Sequence, residues 1–387
     1  MSEQTILIIG SSAAGLAAAE AARKQDPDIP ITMLSEEPYL PYHRPRLPQV
    51  IIDPSIKKNI TLRNEEWFKE RNIDLKLGAT VKRVDSKAQK VELKDGSIIP
   101  YGKLILATGS RSFMPPMKGN DLKGVFTIWT LDDALAVSDW LNHAKKGVVI
   151  GGGLLGLEAA YALSKRGVET TVLERSDRLL KRQLDEKSSA MFLSQTERLG
   201  VHVLTDASTE EIIPDESGNV ALIRLEDGRE LECDVVIVST GVRARVEVME
   251  GEPISIDRRF VVNNRLETDI PNVYAAGDCA LMDGIWFGLW PVSVKEGKAA
   301  GTNAAGGDEI CVIPTPPYLV NTMETRVASA GIIESEDESI ISQIQVDDAQ
   351  LNYDRRNFKD GALVGYVLLG NTAPFSMLSR ELQYNEG

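Results

Sequence analysis

Gly151, Gly153 and Gly156, followed by Glu174, form the most chemically pointed spacing in this chain. The glycines follow the apolar run Val148–Ile150 and open a segment that reads as a helix to about Lys165. A helix N-terminus offers unpaired backbone N–H groups and a partial positive charge. Glycines let an anion approach that end closely, and an acidic residue about twenty positions on accepts hydrogen bonds from a ribose. The pattern suits the pyrophosphate and sugar of a dinucleotide. Leu155, inside the loop, and Gly241, at the end of a later strand, belong to the same expected site. Glu174 also bears on which dinucleotide binds. A carboxylate accepts from a free 2′-hydroxyl and repels a 2′-phosphate, which favours NADH over NADPH. The adjacent Arg175 is the alternative contact for a phosphate.

A second loop of this kind lies near the N-terminus. The strand Ile6–Ile9 leads into Gly10, Ser12, Ala14 and Gly15, then an Ala-rich helix to about Lys24. Ser12 stands where the full pattern has its middle glycine. It is small, and its hydroxyl can donate to a phosphate. The next strand, Ile31–Leu34, ends at Ser35-Glu36-Glu37. Glu36 is the first ribose candidate and Glu37 the alternative.

The likeness between the two regions continues downstream, so the elements that position the loops are themselves repeated. Asp95-Gly96 and Asp227-Gly228 each mark a hairpin. Each hairpin is followed by an apolar strand ending in Thr-Gly. The first runs from Leu104 through Ala107 to Thr108-Gly109, the second from Val235 to Thr240-Gly241. Strands apolar at nearly every position fit a parallel sheet covered on both faces. The expected fold class is therefore α/β, with two Rossmann-like domains for FAD and NAD(P), the second inserted in the first, plus a small α+β C-terminal domain. Residues 1–109 and 242–311 are assigned to the FAD domain, 110–241 to the NADH domain and 312–387 to the C-terminal domain. In that last region Asn352–Gly370 reads as strands joined at Asp360-Gly361, with a short helix from Pro374. Two loops imply two dinucleotides, FAD held throughout turnover and NADH coming and going.

The other chemistry-bearing residues exclude alternatives. Cys233, Cys279 and Cys311 form no C-x-x-C pair, and His43, His143 and His202 have no metal-ligand spacing. No metal site is expected, so redox chemistry needs an organic cofactor. The chain has 387 residues, enough for two or three domains, and a formal net charge of −14, which argues against nonspecific nucleic-acid or membrane binding. No apolar run is long enough to span a membrane, and Met1–Thr5 has no basic lead-in of a signal peptide. A cytoplasmic protein is expected.

With these motifs in place, the chain resembles the pyridine nucleotide–dependent flavoprotein reductases with two dinucleotide-binding domains, over almost its whole length. Within them it is most similar to NADH–rubredoxin reductases and to the FAD/NAD portion of assimilatory NADH–nitrite reductases. Tyr39–Leu47, containing Arg44 and Pro45, resembles the family's Y-x-R-P-x-L segment beside the isoalloxazine. Thr268–Asp278 resembles its second FAD fingerprint, ending in Gly277-Asp278, and Trp290-Pro291-Val292 resembles a stretch near the pyrimidine end of the flavin. The resemblance implies that Asp278 binds the ribityl chain, that Trp290 and Val292 lie at the flavin, and that Val81 and Arg111 belong to the same cofactor site.

It also implies the mechanism. NADH lies on one face of the flavin and passes a hydride to N5, with Glu158 near N5 and the nicotinamide amide. Disulfide reductases of this superfamily use a C-x-x-x-x-C pair, which is absent here. Coenzyme A–disulfide reductases and many water-forming NADH oxidases carry one Cys beside the flavin, and the matching position here is Pro45. Electrons are thus expected to pass from flavin directly to an acceptor. Some ferredoxin-reducing relatives pair the Glu with a Lys; here that position is Gln49. The leading expectation is electron delivery to rubredoxin or a similar small protein. Arg44, Arg46, Arg355 and Arg356 are candidates for a basic docking patch. The alternatives are a reductase subunit for a nitrite- or nitrate-reducing metalloenzyme component, and a slow NADH sensor resembling apoptosis-inducing factor. The short C-terminal region implies a monomer or a weak dimer.

Overall fold

The structure, a computed structural model, describes residues 5–386. The chain divides into two compact units, each built from separated stretches.

The first unit comprises the stretch ending at Pro45, Lys57–Arg111 and Val242–Ile313. Its five-stranded sheet runs in the order Val273–Ala275, Lys103–Leu106, Ile6–Ile9, Ile31–Leu34, Ile73–Lys76, with every neighbour parallel. All four residues of Ile6–Ile9 are buried, as apolar strands covered on both faces must be. The helices Ala13–Gln25 and Trp290–Ala304 pack against this sheet and against each other. They meet backbone to backbone. A Cβ built on Gly297 would stand 2.2 Å from the Ala14 carbonyl oxygen, and one on Gly301 2.1 Å from that of Ala18. The Ala-rich face of the first helix and two glycines of the second permit this approach.

The second unit comprises Arg46–Ile56, Ser112–Gly241 and the stretch from Pro314. Its parallel sheet has the order Val125–Phe126, Val235–Val238, Lys146–Ile150, Glu169–Leu173, Val201–Leu204. Four of these strands occupy the places of their counterparts in the first unit, while the outer strand Val125–Phe126 precedes the others in the chain where Val273–Ala275 follows them. The Asp-Gly hairpins are also present, as Lys90–Leu93 with Ile98–Pro100 and Val220–Leu225 with Glu230–Glu232. The short helix Leu47–Ile52 packs on the helices Leu131–Trp140 and Leu154–Lys165 of this second unit.

The C-terminal stretch forms a five-stranded antiparallel sheet in the order Tyr318–Thr322, Thr325–Gly331, Ala362–Leu369, Asn352–Lys359, Ile340–Asp347. Leu378 and Leu382 of the helix Phe375–Glu386 bury themselves against Ala328, Leu363, Tyr366 and Leu368. The strands flanking Asp360-Gly361 and the following helix agree with expectation. Three further strands join them. This sheet is fastened to the helix Glu186–Arg198 through Asp185, which is 1% exposed. Asp185 caps that helix by accepting from the Ser188 N–H at 2.9 Å, and also accepts from Arg355 Nη1 at 2.8 Å and the Tyr353 hydroxyl.

Candidate dinucleotide sites

In the second unit, Lys146–Ile150 delivers the chain into the loop Gly151–Gly156, and Leu154 begins the helix. The glycines play different parts. A Cβ on Gly151 would lie 2.3 Å from the Ser239 carbonyl oxygen, and one on Gly156 1.9 Å from that of Gly151. These two let strand and helix pack. A Cβ on Gly153 would meet nothing within 4 Å. Gly153 is the N-cap, makes no side-chain cap, and the first helical turn holds no acidic residue. Its N–H groups therefore face open space that an anion fits. Glu174 is held in place beside them. It accepts from the Gly152 N–H at 2.7 Å and the Ser176 N–H at 2.6 Å. Each carboxylate oxygen has two lone pairs, so both retain one for a ribose hydroxyl. Leu155 is 50% exposed at the loop, and Gly241 has open space where a Cβ would be.

The first loop repeats this construction. A Cβ on Gly10 would lie 2.0 Å from the Ala107 carbonyl oxygen, and one on Gly15 1.9 Å from that of Gly10. Ser12 is the N-cap of Ala13–Gln25, yet its hydroxyl makes no cap hydrogen bond, and the first turn has no acidic residue. A phosphate fits this end as well. Ser11, Ser12, Ser35, Glu37, Tyr42 and Arg44 line one pocket there. Glu37 accepts from the Tyr42 hydroxyl at 2.6 Å and from Arg44 at 2.8 Å. Glu36, the first ribose candidate, pairs instead with Arg245. Thr108 donates to the Arg245 carbonyl oxygen at 2.6 Å, so Ala107, Thr108 and Gly109 line up beside that pair.

Gly277-Asp278 lies at the same end of the sheet, following Val273–Ala275. Ala14 is brought against Gly277, where a Cβ would approach the Ala14 Cβ to 2.9 Å. Asp278 Oδ2 accepts from the Ser110 hydroxyl at 2.7 Å. Trp290 begins its helix and meets the His43 ring edge-on at 4.8 Å between centroids, while Val292, two residues on, is buried. Arg111 pairs with Glu247, and Val81 packs against the core of this unit. Ser110 and Glu296, which accepts from the Gly277 N–H, are neighbours of the fingerprint that spacing alone did not indicate.

Glu158 sits on the helix after the second loop, partly buried. Burial raises its pKa, and the Thr322 hydroxyl set against it pulls the other way. Pro45 is exposed in the turn Arg44–Arg46. All three cysteines are free and buried. Burial pushes the Cys233 thiol up to about 12 and Cys311 to about 11, and raises Cys279 as well. None is an activated thiolate. Among the described residues there is no cluster able to hold a metal ion, and no helix is long and apolar enough to cross a membrane.

Of the four arginines expected to form a basic docking patch, three are ion-paired with carboxylates. Arg44 is held by Glu37, Arg355 by Asp185, and Arg356 by Asp354 at 2.7 Å, while Arg46 donates to Gln49 at 2.8 Å. The carboxylates beside Arg44, Arg355 and Arg356 reduce the positive field of those three side chains.

Paired parallel sheets, each with a glycine loop opening onto a bare helix N-terminus, define a two-dinucleotide oxidoreductase fold. The chain belongs to the pyridine nucleotide-disulphide oxidoreductase family, whose model matches residues 4–297. Residues 316–385 match the rubredoxin NAD+ reductase C-terminal domain. The chain is 32% identical to nitrite reductase [NAD(P)H] of Bacillus subtilis over 399 residues, covering 100% of this chain and 48% of that protein. It is 30% identical over 374 residues to NADH-rubredoxin oxidoreductase of Clostridium acetobutylicum, covering 96% and 93%. The crystal structure of NADH:rubredoxin oxidoreductase from Clostridium acetobutylicum superposes with a TM-score of 0.80 at 28% identity, over 98% of this chain and 93% of that one. A ferredoxin reductase from Rhodopseudomonas palustris gives 0.89 at 25% identity, covering 96% and 93%. The chain spans about half the length of the first curated relatives it matches, 48% of each.

Proposed function

We propose that this protein is an FAD-dependent NADH:acceptor oxidoreductase that delivers electrons to a rubredoxin-like protein without a redox-active cysteine. One observation carries the reading: the two glycine loops have the same geometry, each fronting a helix N-terminus open to a pyrophosphate. The first loop, with Gly277-Asp278, holds FAD. The second, with Glu174, holds NADH. In this reading residues 1–109 and 242–311 serve the flavin, 110–241 serve NADH, and 312–387 serve the acceptor. FAD, when bound, accepts a hydride and can release electrons singly, which suits a one-electron iron protein. The chain's own residues bind and orient. Ser12 and the Gly153 loop hold phosphates, Glu37 or Glu36 and Glu174 hold riboses, Asp278 holds the ribityl arm, and Glu158 orients the nicotinamide amide. Pro45 and three buried thiols support direct transfer from flavin to acceptor. The rubredoxin-type acceptor is supported by the C-terminal match and by a relative of that name that the chain covers almost fully. The same reading places the reaction in the cytoplasm.

Stopped-flow reduction of the purified yellow protein tests this. NADH is expected to reduce the flavin faster than NADPH, and the reduced protein to turn over rapidly with rubredoxin. Absence of bound flavin overturns the reading, and faster reduction by NADPH overturns the role given to Glu174. A second reading, a reductase subunit for a separate nitrite-reducing component, is favoured by the match to about half of a nitrite reductase. Co-purification with a metalloenzyme that accepts its electrons, with no turnover of rubredoxin, selects it.

A further inference from the structure

Glu296 lies outside both dinucleotide motifs. It is 6% exposed on the helix Trp290–Ala304. Its Oε2 accepts from the Gly277 N–H at 2.7 Å, the first residue of the turn that carries Asp278. The neighbouring helix fixes the other side. Gly297 is pressed onto Ala14, in the first turn of Ala13–Gln25, where a Cβ would lie 2.2 Å from the Ala14 carbonyl oxygen. Glu296 therefore sits beside the very helix end assigned to the FAD pyrophosphate.

One backbone hydrogen bond does not compensate a buried carboxylate charge. Among the described residues, the Gly277 N–H is its one hydrogen-bond donor. Asp278 faces it from the turn and the Cys311 thiol from the segment beyond the helix. Ala14 and Ala18, where the neighbouring helix meets Gly297 and Gly301, carry no charge, and Lys295 turns its Nζ to the Val312 carbonyl oxygen. Burial pushes the Glu296 carboxyl up to about 7, against the pull of the Gly277 N–H and with a further push from Asp278.

We propose that Glu296 is a positioning residue that ties FAD retention to pH: neutral, it holds the Gly277-Asp278 turn beside the bound pyrophosphate, and ionised, it repels the phosphates. The inference rests on the assignment of FAD to the first loop. Its sign follows from linkage. A pyrophosphate placed nearby raises the Glu296 pKa further, so FAD binding takes up a proton. FAD affinity is then full below about pH 7, the value without cofactor. It falls about tenfold per pH unit above that, until the value with cofactor is reached.

The test is FAD dissociation from the holoprotein, followed by ultrafiltration and flavin absorbance from about pH 6 to about pH 9, a window bracketing that titration. The wild type is expected to lose FAD progressively at the upper end, and Glu296→Gln, which keeps the shape without the charge, to hold FAD equally across the range. A flat wild-type profile, or a variant that titrates like the wild type, overturns the proposal. If the variant does not fold, proton uptake on returning FAD to wild-type apoprotein in weak buffer gives the answer, with no uptake above neutrality overturning it. Tight, pH-independent FAD binding overturns this inference alone. Failure to bind FAD at any pH overturns the proposed function and this inference together.

Discussion

Gly153→Val is expected to leave the fold and the bound flavin intact while NADH binding weakens by about 100-fold, or ~2.7 kcal/mol. Gly156→Ala, the smaller change by volume, is expected to damage the fold instead. The difference lies in what each new Cβ meets. At Gly153 the backbone is extended, at φ −80° and ψ 176°, and open to any residue. Its Cβ direction is empty within 4 Å. A valine there clashes only with a ligand seated on the helix N-terminus. At Gly156 the new methyl would stand 1.9 Å from the Gly151 carbonyl oxygen. Strand and helix must then separate, at a cost of about 3 kcal/mol, the upper end of ordinary overpacking. Isothermal titration with NADH and thermal melts of both variants check this. Wild-type NADH affinity in Gly153→Val would remove the NADH site from this loop.

Asp185→Ala is expected to lower stability by about 3–5 kcal/mol, because it leaves the guanidinium of Arg355 buried without its counter-charge. Arg355 and Asp185 have side chains 14% and 2% exposed, so water does little to replace the lost partner. The effect is also pH-dependent. Burial alone would raise the Asp185 pKa, but the hydrogen bonds from Arg355, Ser188 and Tyr353 outweigh it and hold the carboxyl below its usual range. A depressed carboxylate stabilises the fold above its unfolded pKa of about 3.9, and that contribution is lost as pH falls through the folded value. Urea midpoints of wild type and variant should therefore differ most near neutrality and converge in acid. A gap that stays constant down to about pH 2 would falsify the assignment.

Much of the architecture was readable because it rests on local constraints. The loops need small residues at fixed places, and the Asp-Gly hairpins need residues that accept positive φ. The strands missed in the C-terminal sheet lack such markers. Tyr318–Thr322 and Thr325–Gly331 are joined through Met323 and Glu324, at φ 49° and 53°, and neither residue announces a turn. Ile340–Asp347 is an edge strand exposed on both faces, Ile341, Ile344 and Val346 included, so its short alternation from Ile344 to Asp347 marks no buried face. The arginines show a different limit. The sequence shows that Arg355 is basic, but its partner Asp185 lies 170 residues away, and only packing brings them together. Glu296 is similar. Its burial depends on how closely Gly297 and Gly301 let two helices approach, which helical periodicity does not express.

The order of strands in the first sheet has a consequence for how the chain is made. Leu104 pairs with Val273, so that sheet lacks an outer strand until the ribosome has passed residue 275. The parallel sheet of the second unit draws only on strands from Val125–Phe126 to Val235–Val238, all synthesised earlier. The inserted nucleotide-binding half can therefore close while its host is still unfinished. Val273–Ala275 completes that sheet, with the Gly277-Asp278 turn just beyond it and the helix Trp290–Ala304 still to follow. On the proposed assignment of FAD to the first loop and this turn, flavin capture waits until the chain beyond residue 242 has joined the stretches that precede the second unit's sheet.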